Sequence, residues 1–299
     1  MKRLTCMLAA AGLVLLAGCG GAPLAWQPAP TASLVIGVYE KGVPVRYSPV
    51  SAFTAATGIK PRIVLYYSSW HEKFWTGFAE QANANGAIPF VEIEPTDISL
   101  PAITAGEYDK YLRTYAKAVR TFGHPVILAF GHEMNGTWYS WGAAHVTPAE
   151  FIAAWRHVVQ VFRDEGVSNV TWMWAVSSVN RTSSALRQWW PGAAWVDAVG
   201  VDGYYYRPSD TFASVIGTTV NQVRRFTGDP ILLSETAVGP AAGPGKIAGL
   251  FAGARADHLV GLVWFDDAQH DPPIRQNWRL EDSPAALAAF REAAARSSG

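Results

Sequence analysis

The chain has 299 residues, with 24 basic and 24 acidic side chains, 49% hydrophobic residues, thirteen tryptophans and two cysteines. A net charge of zero without a clustered basic face argues against nucleic acid as a partner, and a neutral ligand fits better. A disulfide framework is excluded as well, because Cys6 lies in the N-terminal apolar run and leaves Cys19 without a mate.

Residues 1–19 read as an export signal. Met1-Lys2-Arg3 is a positive start, and the apolar run from Leu4 to Leu16 is too short for a stable membrane span. Leu16-Ala17-Gly18-Cys19 resembles a bacterial lipobox, with cleavage before Cys19 and a lipid on its sulfur. The expectation is an exported cell-envelope lipoprotein facing outward. Residues 20–32, rich in Gly, Ala and Pro, read as a tether with nothing to bury.

From 33 to 297 the sequence alternates between two periods. Strands are predicted at 34–39, 62–67, 87–93, 125–130, 170–176, 197–202, 230–235 and 259–265. They are near-continuous apolar runs rich in Val, Ile and aromatics. Helices are clearest at 106–122, 148–165 and 284–296. In the second, Phe151, Ala154, Trp155, Val158, Val159 and Phe162 form one apolar stripe, begun by Thr147-Pro148-Ala149-Glu150 as a capping box with proline at the first helical position. Strands apolar on both faces and alternating with helices imply a buried parallel sheet. Eight such units in one run fit a single-domain (β/α)8 TIM barrel, whose active site sits on the loops after the strand C-termini.

Two glutamates stand there. Glu133, in GHEMNGTWYSWG (131–142), ends the fourth predicted strand, and Glu235, in ILLSETAV (231–238), ends the seventh. A single glutamate at a strand end is most often ion-paired, but two on one barrel face, flanked by aromatics, fit glycosidic cleavage with retention. One carboxylic acid protonates the leaving oxygen and one carboxylate attacks the sugar. The acid needs a raised pKa, which Glu235 opposite and Met134, Trp138 and Trp141 nearby would supply. The attacking carboxylate needs donors, and Tyr204 and His132 are candidates. Glu92, Glu94 and Asp97 after the third strand are candidates for sugar hydroxyls at the groove's edge. Trp70 is favoured over Trp75 as a sugar platform. Trp172 and Trp174 share a face of the fifth strand, so at least one is expected to pack the barrel.

The segments HEMNGTWYSWG (132–142), VDAVGVDGY (196–204) and LSETA (233–237) resemble glycoside hydrolase family 26, a retaining family of β-mannanase-like barrels. The resemblance implies Glu133 as acid/base and Glu235 as nucleophile. It further implies Tyr204 as a hydrogen-bond partner of the nucleophile, and His132, Trp138 and the strand-ending Trp264 as substrate-binding residues. It implies an endo-acting enzyme on β-1,4-mannan, with β-1,3-xylan or mixed-linkage β-1,3/1,4-glucan as alternatives. No cofactor and no metal are expected, and the chain is expected to act as a monomer on a polysaccharide or oligosaccharide.

Rival chemistries lack residues. Neither His132-Glu133 nor His71-Glu72 is followed by the second histidine of a zincin helix, and no metal cluster accompanies His132 and His145. Gly243-Pro244-Gly245-Lys246-Ile247-Ala248 follows the seventh strand rather than opening a first βαβ unit, so it reads as a loop and not a dinucleotide site. No G-x-S-x-G elbow is present. From another class, a non-catalytic carbohydrate-binding surface lipoprotein would be marked by loss of one glutamate, and both are present.

Overall fold

The computed structural model describes residues 25–26, 33–179, 185–269 and 275–297. Eight parallel strands close into a barrel in chain order: β1 (Val35–Glu40), β2 (Ile63–Ser69), β3 (Ile88–Glu94), β4 (Val126–Phe130), β5 (Val170–Ser177), β6 (Ala198–Tyr205), β7 (Ile231–Val238) and β8 (Gly261–Asp266). β8 returns to pair with β1 from Val35↔Gly261 to Glu40↔Asp266. The (β/α)8 expectation holds. β6 and β7 run three residues beyond their predicted ends.

The outer layer comprises α1 (Ser48–Thr57), α2 (Thr76–Ala84), α3 (Leu100–Thr104), α4 (Asp109–Phe122), α5 (Pro148–Asp164), α6 (Thr218–Val223), α7 (Lys246–Ala256) and α8 (Pro284–Ala295). α4 begins three residues later than predicted, after Gly106 with φ of 83°. Between β5 and β6 the described residues hold only a 3₁₀ turn, Leu186–Trp189. After β8 a two-stranded hairpin, β9 (Ala268–Gln269) with β10 (Gln276–Asn277), precedes α8.

Strand alternation divides the core into two shells. Ile63, Leu65, Phe90, Ile127, Ala129, Met173, Ala175, Leu232 and Val263 fill the barrel interior. Their chain neighbours, among them Val64, Val91, Leu128, Trp172, Trp174, Leu233 and Trp264, face the helices. Trp172 packs edge-on against Phe162 of α5, and Trp174 against Trp190, so both tryptophans of β5 serve packing.

All six stripe residues of α5 are buried, and its capping box forms in full, with Thr147 accepting from the Glu150 amide and Glu150 accepting from the Thr147 amide. At the opposite end of the barrel from the strand tips, Trp26 departs from the expectation of a tether with nothing to bury. It is half-buried against the interior shell, and Thr171 Oγ1 donates to its carbonyl.

Thr147→Ala removes the cap and should destabilise the chain by about 1 kcal/mol. Trp155→Ala, at a side chain with no exposed area whose indole N–H donates to the Trp195 carbonyl, should cost about 3–5 kcal/mol. Urea unfolding monitored by far-UV circular dichroism measures both, and a Thr147→Ala loss as large as that of Trp155→Ala would contradict the capping account.

Candidate active site

β4 stops at Phe130 because the chain then turns through two left-handed residues, Gly131 at φ of 58° and Glu133 at φ of 52°. For a glutamate this backbone costs on the order of 1–3 kcal/mol and has to be held from outside. β5 holds it: the Glu133 amide donates to the Ala175 carbonyl (3.0 Å), and the Asn135 side chain donates to the Ser177 carbonyl (2.8 Å) and accepts from its amide (2.9 Å). Glu133 therefore stands three residues past the strand rather than on its tip. Trp138, 57% exposed, folds back so that its indole N–H donates to Glu133 Oε2 at 2.8 Å. Gly136 permits that fold, since a Cβ there would lie 2.4 Å from the Trp138 ring.

His132 is buried. Its Nε2 lies 3.0 Å from the Tyr139 hydroxyl, its carbonyl accepts from the Trp141 indole at 2.8 Å, and Tyr139 stacks on Trp141 with centroids 4.3 Å apart. Its Nδ1 is 3.3 Å from Glu92 Oε2. Burial pushes the imidazole down to about 3, so it is neutral at ordinary pH.

Glu235 lies inside β7, three residues before the strand ends, and reaches the lumen through a bulge. Gly200 pairs with Leu232 and Asp202 with Glu235, so β7 carries one more residue than β6 over this interval. Ser234 and Glu235 consequently both face inward. Ser234 donates to Asp202 Oδ1 at 2.5 Å, in space left by Gly200, where a Cβ would sit 2.3 Å from its hydroxyl. Tyr67 donates to Glu235 Oε1 at 2.5 Å and Tyr204 donates to Oε2.

Four carboxyl groups thus share the barrel mouth, and they are not equivalent. Burial raises Glu235, but the hydroxyls of Tyr204 and Tyr67 and a hydrogen bond from Glu92 work against that rise. Glu92 and Asp202 are pushed well above the carboxylate range by burial and then by the charge of Glu235. Glu133 is raised to about 8 by burial and by Glu235, partly offset by the Trp138 N–H. At neutral pH this leaves one anion, Glu235, facing one protonated acid, Glu133, the division of labour that retaining glycosidic cleavage requires. Glu94, on the same strand as Glu92, is raised to about 7 by burial and Glu235, while Asp97 is exposed in a loop tied to Ser140.

Two residues expected to bind substrate do not line this space. Trp264 has the outward parity of β8: it is wholly buried, packs on Phe290 of α8 at 5.2 Å and donates its indole N–H to the Trp278 carbonyl. Trp278 itself, after β10, packs on Tyr204 at 4.7 Å. Trp70 is only 7% exposed, wedged against Tyr111 and Phe130 beneath α4, and makes a poor sugar platform. His132 is not a hydrogen-bond donor to Glu235, and Tyr67 fills that role. Tyr67 is missed by the sequence analysis, and Glu92, expected at the groove's edge, is wholly buried inside the barrel; strand parity marks both, as the next inward positions after Leu65 and Phe90. Tyr206 is the other ring over the site. It is 38% exposed, its hydroxyl is pushed up to about 12 by burial and by the charges of Glu133 and Glu235, and with Trp138 it offers an apolar face to a pyranose.

Glu92, His132 and Glu235 converge at metal-ligand spacing, but both oxygens of Glu235 already accept tyrosine hydrogen bonds, so the cluster fits proton chemistry better. The sequence of the chain matches the model of glycosyl hydrolase family 26 over residues 104–230, which include His132, Glu133 and Tyr204 and end before Glu235. Endoglucanase H of Acetivibrio thermocellus is 29% identical over 264 residues, spanning 82% of this chain and 29% of that protein. A mannan endo-1,4-beta-mannosidase of Bifidobacterium adolescentis is 32% identical over 123 residues, 40% of this chain and 12% of that protein. The chain thus spans less than a third of the length of these relatives. Among solved structures, a double mutant of Cellulomonas fimi endo-beta-1,4-mannanase superposes with a TM-score of 0.70 at 19% identity, covering 88% of this chain and 70% of that one.

The division of protons has a pH signature. Turnover should decline above about pH 8, where Glu133 loses its proton, and on the acid side where Glu235 gains one. Trp138→Phe removes a donor that favours ionised Glu133, so its alkaline limb should move to higher pH. A kcat/KM profile whose alkaline limb stays put or moves down would show that the indole does not tune the acid.

Proposed function

We propose that the chain is a member of glycosyl hydrolase family 26 and, from that premise, a retaining endo-β-glycosidase acting on β-1,4-mannan. The observation that carries this reading is the unequal setting of the two glutamates: Glu235 accepts from two tyrosine hydroxyls, and Glu133, under Trp138, is raised to about 8 by burial and by the charge of Glu235. Glu133 donates its proton to the glycosidic oxygen while Glu235 attacks the anomeric carbon. A glycosyl-enzyme forms, and Glu133, now ionised, takes a proton from the water that hydrolyses it. Trp138 and Tyr206 support the sugar rings on either side. A mixed-linkage β-glucan is the second reading, favoured because the relative matched over 82% of this chain is named an endoglucanase. β-1,3-Xylan stands third, on family resemblance alone.

Lipid attachment at Cys19 fits this reading. The stretch from Cys19 to Trp26 reaches at most about 25 Å fully extended, and Trp26 packs at the end of the barrel opposite Glu133 and Glu235. A membrane tether leaving from that end would hold the cleft toward the medium, where a polysaccharide arrives.

Reducing-sugar release from mannan, glucomannan, lichenan and β-1,3-xylan should be greatest on the mannans, and lichenan preferred instead would move the substrate to the second reading. Proton NMR of the first product should show the β-anomer. Glu235→Ala should be inactive on every substrate, since nothing else can form the covalent intermediate. Glu133→Ala should still be glycosylated by an activated aryl glycoside and be rescued by azide to a β-glycosyl azide. A β-azide from Glu235→Ala, with an α-azide from Glu133→Ala, would reverse the two roles.

Cys19→Ser should shift the chain from the detergent phase to the soluble fraction with unchanged specific activity. A wild-type chain that is unlipidated and already soluble would remove the anchor.

A further inference from the structure

The outward-facing ends of β1 and β8 bring a second set of carboxylates together, away from the cleft. Glu40 and Asp266 are cross-strand partners at the last pair of the β1–β8 ladder, and Glu281, after the β9–β10 hairpin, folds back onto them. Glu40 is 6% exposed and Asp266 1%. One Asp266 oxygen is committed, accepting from the Leu280 amide at 2.7 Å. The other, Oδ2, together with Glu40 Oε1 and Glu281 Oε2, is buried and has no hydrogen-bond donor outside the three carboxyl groups. Oxygen atoms of the three groups lie within 4.8 Å of one another. That is the span two Ca–O bonds of about 2.3–2.6 Å would bridge. They border a cavity of about 300 Å³, also lined by Asp267 and by Lys41, Arg46 and Arg279. The three cations are exposed at its rim, and the nearest, Arg279, stands 3.9 Å from Glu281.

Unpaired buried oxygens of this kind are costly, and they demand a cation or shared protons. We propose that Glu40, Asp266 and Glu281 form a calcium site that fastens the segment after β8 to the top of β1, with water from the cavity completing the coordination. An all-oxygen donor set without histidine or cysteine suits a hard cation. Glu40, Asp266 and Glu281 are scattered in the chain and only the barrel closure joins the first two, so no sequence motif marks them. The segment so fastened includes Trp278, which packs on Tyr204, the donor to Glu235. The ion would therefore be a structural clamp that also steadies the nucleophile's partner.

Calorimetric titration of calcium chloride into the chelator-stripped full chain at pH 7 tests this. One ion per chain with a Kd of about 1 mM or tighter is expected, and 5 mM calcium should raise the melting temperature by several degrees, about 5 °C at a tenfold tighter Kd. Glu281→Gln should weaken binding at least tenfold and abolish the melting shift. That side chain is 24% exposed, so the substitution is mild for folding. Glu235→Gln, in the cleft, should bind calcium as the wild type does, and magnesium should bind more weakly. The proposal is overturned if calcium gives neither heat nor a melting shift, if Glu281→Gln binds like the wild type, or if Glu235→Gln is the variant that loses the ion. A melting temperature that ignores calcium but climbs as pH falls would also overturn it, because protons would then join the carboxyls.

Discussion

A negative charge held inside a protein has to be paid for in hydrogen bonds, and here both oxygens of Glu235 receive them from tyrosines that leave the sheet on either side of the barrel, Tyr67 on β2 and Tyr204 on β6. That clamp decides the protonation of everything around it. With the anion fixed on Glu235, Glu92 and Asp202 are held neutral by burial and repulsion, and Glu133 keeps its proton to about pH 8. Neutral His132, locked between Tyr139 and Trp141, adds no compensating positive charge. A cation near Glu235 would lower the acid's pKa along with the nucleophile's, so phenolic donors, which stabilise without adding charge, suit a pair that must stay unequal.

The barrel supplies these groups through one repeated device. Inward positions change from apolar to polar as each strand rises: Leu65 to Tyr67, Phe90 to Glu92, and Gly200 to Asp202 and Tyr204. The lower layers supply the packing that fixes the upper one, and the outward parity sends Trp172, Trp174 and Trp264 to the helices. The cost of the left-handed Glu133 is met in the same way, by hydrogen bonds to Ala175 and Ser177 on the neighbouring strand. A loop residue in a strained conformation is thereby referenced to the sheet.

Much of this was legible in the amino-acid sequence, for physical reasons that also mark where it was not. Strands apolar on both faces stand out, so all eight could be placed, and the α5 stripe with its Thr147–Glu150 cap is a local pattern that tertiary structure had no cause to override. Glu133 and Glu235 were recognisable from their surroundings. Trp264 was misplaced because a motif gives proximity to a strand end but not the face, whereas counting from inward Val263 would have turned it outward. The same count would have found Tyr67 and moved Glu92 from the groove's edge to the lumen. It would have failed for Glu235, since with Leu232 inward strict alternation points Ser234 in and Glu235 out. The bulge that overrides this has no signature in LLSETA. Trp26 was read by the company it keeps, a Pro- and Ala-rich stretch, rather than by its own large apolar surface.

The extra residue in β7 also bears on how the chain tolerates changes of length. Barrel loops absorb insertions and deletions because nothing downstream depends on their count. Between Leu232 and Thr236 the count is the function. Loss of a single codon there would restore regular alternation, and Ser234 and Glu235 could no longer both face the lumen. Every hydrophobic layer below could remain in place, and the helices would have no reason to move. Such a lineage would drift toward a barrel that still offers aromatic rings to a sugar but no longer cleaves it, so a binding protein lies one deletion away from a hydrolase.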